Sequence, residues 1–209
     1  NGVSGASLHC INFGAATDPC CGCGTALATL AEHAIADTYG IEINPELAQE
    51  AQGKLTRVGL GSFFYARPGT GCYHTVFLNP PYLSLFDGDG PRQRMEKLFL
   101  NAAIPLLLVH GILIYVIPVH RLTANICQIL SKHFTDIRVY RFLDGEYQKF
   151  KQIVLFGVKQ EREPDSAAAC AQTLMELARH PDRIPLLTQL ETGTFFVPDT
   201  QATVDEFRG

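Results

Sequence analysis

The stretch Asp18-Pro19-Cys20-Cys21-Gly22-Cys23-Gly24, residues 18–24, lies between a short apolar run and an amphipathic one. It reads as a strand, a glycine-rich turn and the start of a helix. Two glycines let the backbone turn sharply and approach a ligand with no Cβ in the way. A helix opening just after such a turn presents free N–H groups and positive partial charge. The turn can hold a dinucleotide pyrophosphate or the carboxylate of a methionine moiety, or it can be a tight structural connection. The dinucleotide fingerprint asks for a small residue three positions beyond the second glycine, and Leu27 stands there.

Outward from this turn, short apolar runs alternate with amphipathic stretches, the pattern of a parallel α/β sheet. Strands are expected at 8–17, 38–43, 62–66, 74–78, 111–117, 137–142 and 152–158. Helices are expected at 25–33, 45–55, 94–108 (broken or kinked at Pro105), 122–133 and 167–180. Asp144-Gly145 marks a turn between the last two strands. The fold class is therefore α/β, a mostly parallel seven-stranded sheet flanked by helices. The composition turns polar at Lys159, so the reading divides the chain into a domain at 1–160 and a C-terminal helix with an irregular arm at 161–209.

Two more positions carry chemistry. Glu42 ends the second strand, 18 residues after Gly24, where a carboxylate can accept hydrogen bonds from both ribose hydroxyls. Turn and acid together point to a nucleoside-containing cofactor. Asn79-Pro80-Pro81-Tyr82 then ends the fourth strand, at the sheet edge where open α/β folds bind ligands. The Asn79 side-chain oxygen and the Pro80 carbonyl can both accept from an NH2 group. Accepting both hydrogens draws the nitrogen lone pair out of conjugation and aims it at a methyl donor, with no ionised base required. Tyr82 can stack on a planar substrate, a contact worth ~1–3 kcal/mol per base. A nicotinamide dehydrogenase would account for the turn and Glu42 but leaves residues 79–82 unexplained.

DPCCGCG (18–24), GIEIN (40–44) and FLNPPY (77–82) resemble motifs of the class I S-adenosylmethionine-dependent methyltransferases that modify adenine N6. RMEKLFL (94–100), GILIYVIP (111–118) and FKQIVLFG (150–157) resemble a stand-alone group of such proteins from bacteria and their mobile elements. The likeness covers about residues 14–160. It implies a Rossmann-like class I methyltransferase fold, with S-adenosylmethionine as cofactor. Asp18, Pro19, Cys20, Gly22 and Gly24 would hold its methionine part, Glu42 its ribose, and Ile43 would pack on its adenine. Asn79, Pro80 and Pro81 would form the acceptor for the target amino group, with Tyr82 stacking on the flipped base. The implied partner is nucleic acid, DNA foremost. RNA guanine-N2 and protein glutamine-N5 methyltransferases look similar at residues 79–82. Two departures stand out. Ser62, followed by Phe63, occupies the position where the family carries an acid for the cofactor's adenine, and no N-terminal cofactor segment is visible in residues 1–13; both keep open the alternative of a non-catalytic DNA-binding relative with the same fold.

The bulk numbers agree with an enzyme that does not depend on a strong electrostatic grip. The 209 residues are 46% apolar and 18% charged, with a net charge of −4. A dedicated nucleic-acid binder is usually basic. Eleven of 17 Lys/Arg fall between Arg92 and Arg162; Arg138, Arg141, Lys149 and Lys151 form either a phosphate face or an ordinary mixed surface. Seven cysteines, three of them at 20, 21 and 23, make a poor disulfide framework, and without a second ligand pair no metal is expected. His120 reads as a solvated loop residue. The Gly/Asp-rich loop at 83–91 is a candidate lid. No membrane span or signal peptide is read, and a cytoplasmic location is expected. The first residue, Asn1, suggests a trimmed start.

Overall fold

The structure is a computed structural model; it describes residues 14–32, 36–82, 84–85, 93–191, 193–197, 204 and 207–208. Its strands are β1 (Gly14–Asp18), β2 (Ala36–Glu42), β3 (Arg57–Leu60), β4 (Tyr73–Leu78), β5 (Ser84–Leu85), β6 (Gln93–Arg94), β7 (Leu107–Pro118), β8 (Phe134–Arg141) and β9 (Gln152–Lys159). The helices are α1 (Thr25–Ala31), α2 (Pro45–Gln52), α3 (Met95–Ala103), α4 (Ala124–His133), α5 (Asp144–Phe150) and α6 (Ala167–Arg179). Seven strands form one sheet in the order β3-β2-β1-β4-β7-β9-β8. The pairs from β3 to β7 are parallel, whereas β9 runs antiparallel to both β7 and β8.

Alternation along the central strands builds two cores. In β7, Leu113, Tyr115 and Ile117 face one side, while Ile112, Ile114 and Val116 face the other. Ile153 and Leu155 of β9 join the first group, and Val154 and Phe156 the second. Successive side chains of a strand point to opposite faces, so a strand covered on both faces is apolar throughout. The residues after α6 return to this core. Phe195 stacks on Phe156 with centroids 5.3 Å apart, and Phe207 lies 5.2 Å from Tyr39.

Three expectations change. The third strand is at Arg57–Leu60, not 62–66. The aromatic run Phe63-Phe64-Tyr65 reads as β, yet the strand ends at Leu60, and Tyr65 and Ala66 donate back to the Ser62 carbonyl in a turn. Tertiary pairing overrides propensity here: β3 lies in register with Tyr39–Glu42, and the Gly61 N–H donates to the Glu42 carbonyl. Second, the turn region expected at Asp144-Gly145 is the start of a helix, α5, and Tyr147 N–H closes its first turn on Leu143 O at 2.8 Å. Third, Pro105 breaks the helix expected at 94–108, as anticipated, but the residues beyond it are strand: α3 ends at Ala103, Pro105 sits in a single 3₁₀ turn, Ile104–Leu106, and β7 begins at Leu107. The start of the first expected strand and most of the 83–91 loop lie outside the described residues; within that loop Ser84–Leu85 pairs with Gln93–Arg94.

Candidate active site

From β1 the chain winds outward through β2 to β3, then returns to place β4 on the other side of β1. The carboxyl ends of β1 and β4 thus flank the switch point of the sheet, where such folds leave a crevice. Residues 18–24 follow β1 and residues 79–82 follow β4. The two motifs touch: the Cys20 thiol donates to the Asn79 carbonyl at 3.4 Å.

On the β1 side the loop is held by buried carboxylates. Asp18 is 2% exposed and accepts from the Cys20 N–H at 2.9 Å. Glu42 accepts from Gly22 N–H through Oε2 and from Asn44 N–H through Oε1, both at 2.8 Å. Each oxygen keeps a second lone pair for a ribose hydroxyl. Asn44 caps α2, accepting from Glu46 N–H and Leu47 N–H. Gly22 has φ +54, and a Cβ there would meet nothing within 4 Å, so this backbone borders open space. Burial drives the Asp18 carboxyl up to about 7; the Glu42 charge adds to the rise, and the Cys20 hydrogen bonds oppose it. A neighbouring cation would reverse that shift.

Ile43, just past β2, is 70% exposed, and Leu60 and Phe64 are also exposed. An uncovered apolar residue at the end of β2 suits the face of a planar heterocycle. Ser62 stands just past β3, beside this patch in sequence. Phe63 is not at the surface: it is buried and stacked on Phe99 with centroids 5.5 Å apart. The set of groups therefore fits a nucleoside carrying an amino-acid moiety, with a carboxylate for the ribose, an open glycine cradle and an Asp18 carboxyl that a cationic ligand would ionise.

On the β4 side Asn79 is exposed while Pro80 is buried. The Tyr82 hydroxyl donates to Asn79 Oδ1 at 2.5 Å and lies 3.3 Å from the Val116 carbonyl. Gln152 Nε2 in turn donates to Tyr82 Oη at 2.9 Å. The Tyr82 ring is partly buried against the core. Burial pushes its phenol up to about 12, against the pull of the Gln152 hydrogen bond.

Sequence reasoning missed three residues here. Gln152 heads β9, a polar side chain ahead of the apolar run Ile153–Phe156; that break in the pattern was the available signal. Glu96 and Arg121 form an ion pair 3.3 Å apart, with the Glu96 side chain 0% exposed. Neither Glu96 oxygen has an aligned hydrogen bond among the described residues, so the pair is close but poorly oriented. Its members lie in α3 and in the turn after β7, and no local pattern links them. His120 is exposed beside Arg121. Of the basic residues, Arg141 is committed to the Ile184 carbonyl and to the Tyr147 ring, whereas Arg138, Lys149 and Lys151 are exposed. The Cys21 thiol faces the Gly22 carbonyl and Cys23 pairs with Thr25 Oγ1. No helix among the described residues is long and apolar enough to cross a membrane.

Comparison with known proteins bears on this geometry. The profile of an uncharacterised methyltransferase family, DUF6094, matches residues 10–200. A protein of Listeria monocytogenes assigned to the class I S-adenosylmethionine-dependent methyltransferases superposes with a TM-score of 0.60 at 12% identity, over 80% of this chain and 64% of that one. A predicted O-methyltransferase of Agrobacterium tumefaciens gives 0.54 at 16% identity, over 77% and 78%. The tRNA (m1A58) methyltransferase of Aquifex aeolicus gives 0.52 at 18% identity, over 74% and 66%. The chain thus spans less than two thirds of the Listeria and Aquifex proteins. No curated protein matches in sequence. At these identities the likeness establishes the fold, the Rossmann-like class I methyltransferase sheet.

Proposed function

The chain belongs to that methyltransferase family, and from this premise we propose that it transfers the methyl group of S-adenosylmethionine to an exocyclic amino group, with adenine N6 in DNA as the target. The observation that supports the reading is the contact between the two motifs, Cys20 Sγ to Asn79 O at 3.4 Å, which brings the proposed cofactor cradle beside the proposed amino-group acceptor.

The cofactor is S-adenosylmethionine, which supplies an electrophilic methyl on a cationic sulfur. Glu42 holds the ribose hydroxyls, the Gly22–Gly24 backbone accommodates the methionine part, and ionised Asp18 favours its positive charge. Ile43 covers one face of the adenine, and Ser62 offers a neutral hydrogen bond where a carboxylate would bind more strongly. Asn79 Oδ1 and the Pro80 carbonyl take the two hydrogens of the target NH2, which frees the nitrogen lone pair for attack. A base inside a duplex must first leave the stack to reach these groups, and the exposed part of the Tyr82 ring gives it a wall. The exposed Arg138, Lys149 and Lys151 are the candidate phosphate contacts of this reading.

The test is transfer of labelled methyl from S-adenosylmethionine to duplex DNA, single-stranded DNA, RNA and protein, with Asn79→Ala as control. Label recovered from DNA as N6-methyladenine, and lost in the variant, supports the reading. Label on guanine N2 of RNA or on glutamine keeps the amino-group chemistry and replaces the substrate. No label in any pool overturns it.

A further inference from the structure

Three polar side chains, two from the segment after β4 and one from the start of β9, meet at the acceptor. Gln152 donates to Tyr82 Oη at 2.9 Å, and Tyr82 donates to Asn79 Oδ1 at 2.5 Å. A phenol has one proton and two lone pairs. With one lone pair taken by the Gln152 N–H, the single proton bridges Tyr82 Oη and Asn79 Oδ1, the shortest contact the hydroxyl makes. The Val116 carbonyl, at 3.3 Å, is the weaker competitor.

Gln152 is itself held in place. Its backbone lies opposite Pro118 in the β7–β9 pairing. Lys151, just before it, adopts φ 52, a left-handed conformation that residues other than glycine rarely take. The Lys151 carbonyl accepts from Val119 N–H at 2.8 Å. The chain leaves α5 through this turn and presents Gln152 to Tyr82. An apolar side chain would fill the same space without hydrogen bonds, so packing alone does not call for a carboxamide.

We propose that Gln152 is a positioning residue for methyl transfer: its N–H commits the Tyr82 proton to Asn79 Oδ1 and so locks the acceptor amide. One Oδ1 lone pair is then occupied, and the other is left, beside the Pro80 carbonyl, for the substrate amino group. This rests on the reading above that Asn79 receives that group. The relay is neutral, because the Tyr82 phenol stays protonated throughout the physiological range.

Two variants separate this role from simple packing. Gln152→Glu keeps the shape but replaces the donor with an acceptor, which draws the Tyr82 proton away from Asn79. Tyr82→Phe keeps the ring and removes the proton. With the full chain, labelled S-adenosylmethionine and unmethylated genomic DNA, kcat falls roughly 10- to 100-fold in each, the scale of a misplaced reacting group. Affinity for S-adenosylmethionine, measured by calorimetry, is unchanged in both. The double variant is no slower than Tyr82→Phe alone, because both changes act through one proton. Wild-type kcat in Gln152→Glu, or losses that multiply in the double variant, overturns the proposal. A wild-type protein that labels no amino group in any pool brings down the functional reading and this role together; an active wild type with an equally active Gln152→Glu brings down this role alone.

Discussion

On the β1–β2 side of the cleft, two carboxylates organise the backbone: Asp18 takes the Cys20 N–H, and Glu42 takes those of Gly22 and Asn44. On the β4–β9 side, the ordering runs through neutral side chains, from Gln152 to Tyr82 to Asn79. Carboxylates suit a cationic cofactor, and the buried Asp18, raised to about 7, makes that half sensitive to pH. Neutral acceptors suit an amino group that must lose a proton only as it reacts. The contrast implies that the two halves can be broken separately.

The largest effect is expected from Asn79→Ala. Removing one positioned hydrogen-bonding group costs on the order of 10³-fold in kcat, while the affinity for S-adenosylmethionine in calorimetry stays that of the wild type. Equal loss of both would erase the distinction between the halves. Next comes Phe195→Ala, which tests whether the segment after α6 supports the sheet carrying the acceptor half. Phe195 is 4% exposed and stacked on Phe156, so truncation lowers unfolding stability by about 3 kcal/mol in chemical denaturation. A change below 0.5 kcal/mol, the range of ordinary surface substitutions, would mean that this segment is a loose appendage.

That second case shows where sequence reading stops. The positions of residues 18–24, 42 and 79–82 at strand ends are legible because each signal is local: a glycine turn, an acid at a strand end, a stiff double proline. Their adjacency follows from the strand order, which sets β4 beside β1. The third strand was misplaced because Phe63-Phe64-Tyr65 has more β propensity than Arg57-Val58-Gly59-Leu60, and pairing with β2 decided otherwise. Gln152, Arg121 and Phe195 work through partners 70, 25 and 39 residues away, at Tyr82, Glu96 and Phe156. No periodicity reports a partner at that range, and Phe63 shows the converse, a residue placed at the cofactor by motif and in the core by packing.

Glu42→Ala sharpens the comparison from the cofactor side. The Gly22 and Asn44 amides lose their acceptor together with the ribose. Hydrogen bonds to a charged group contribute roughly 1.5–3 kcal/mol, so S-adenosylmethionine affinity falls by tens-fold and the melting temperature falls with it. Glu42→Gln keeps one oxygen and should lie between the two. Unchanged affinity on titration would remove Glu42 from the cofactor site.

The smallest effect is the most diagnostic of a charged half. Burial raises the Asp18 carboxyl from 3.8 to about 7, so in the ligand-free protein it takes up a proton that the unfolded chain releases near 3.8. Its contribution to stability is present below about pH 4 and is lost as pH rises through 7. Cofactor binding has the opposite sign: the ionised form pairs with the positive methionine moiety, so affinity falls about tenfold from pH 8 to pH 6, the ratio set by one unit below the pKa. Below pH 7, binding expels the proton, and calorimetric enthalpies then differ between buffers of different ionisation heat. Asp18→Asn should flatten the affinity profile and raise the melting temperature at pH 8, because it removes a buried charge. The catalytic rate on saturated enzyme should stay independent of pH over the same window, since nothing in the Gln152–Tyr82–Asn79 relay titrates there. A kcat that follows the pKa of Asp18 would show that the two halves are electrostatically coupled through Cys20, whose thiol is the one side chain that reaches from the first motif to the second among the described residues.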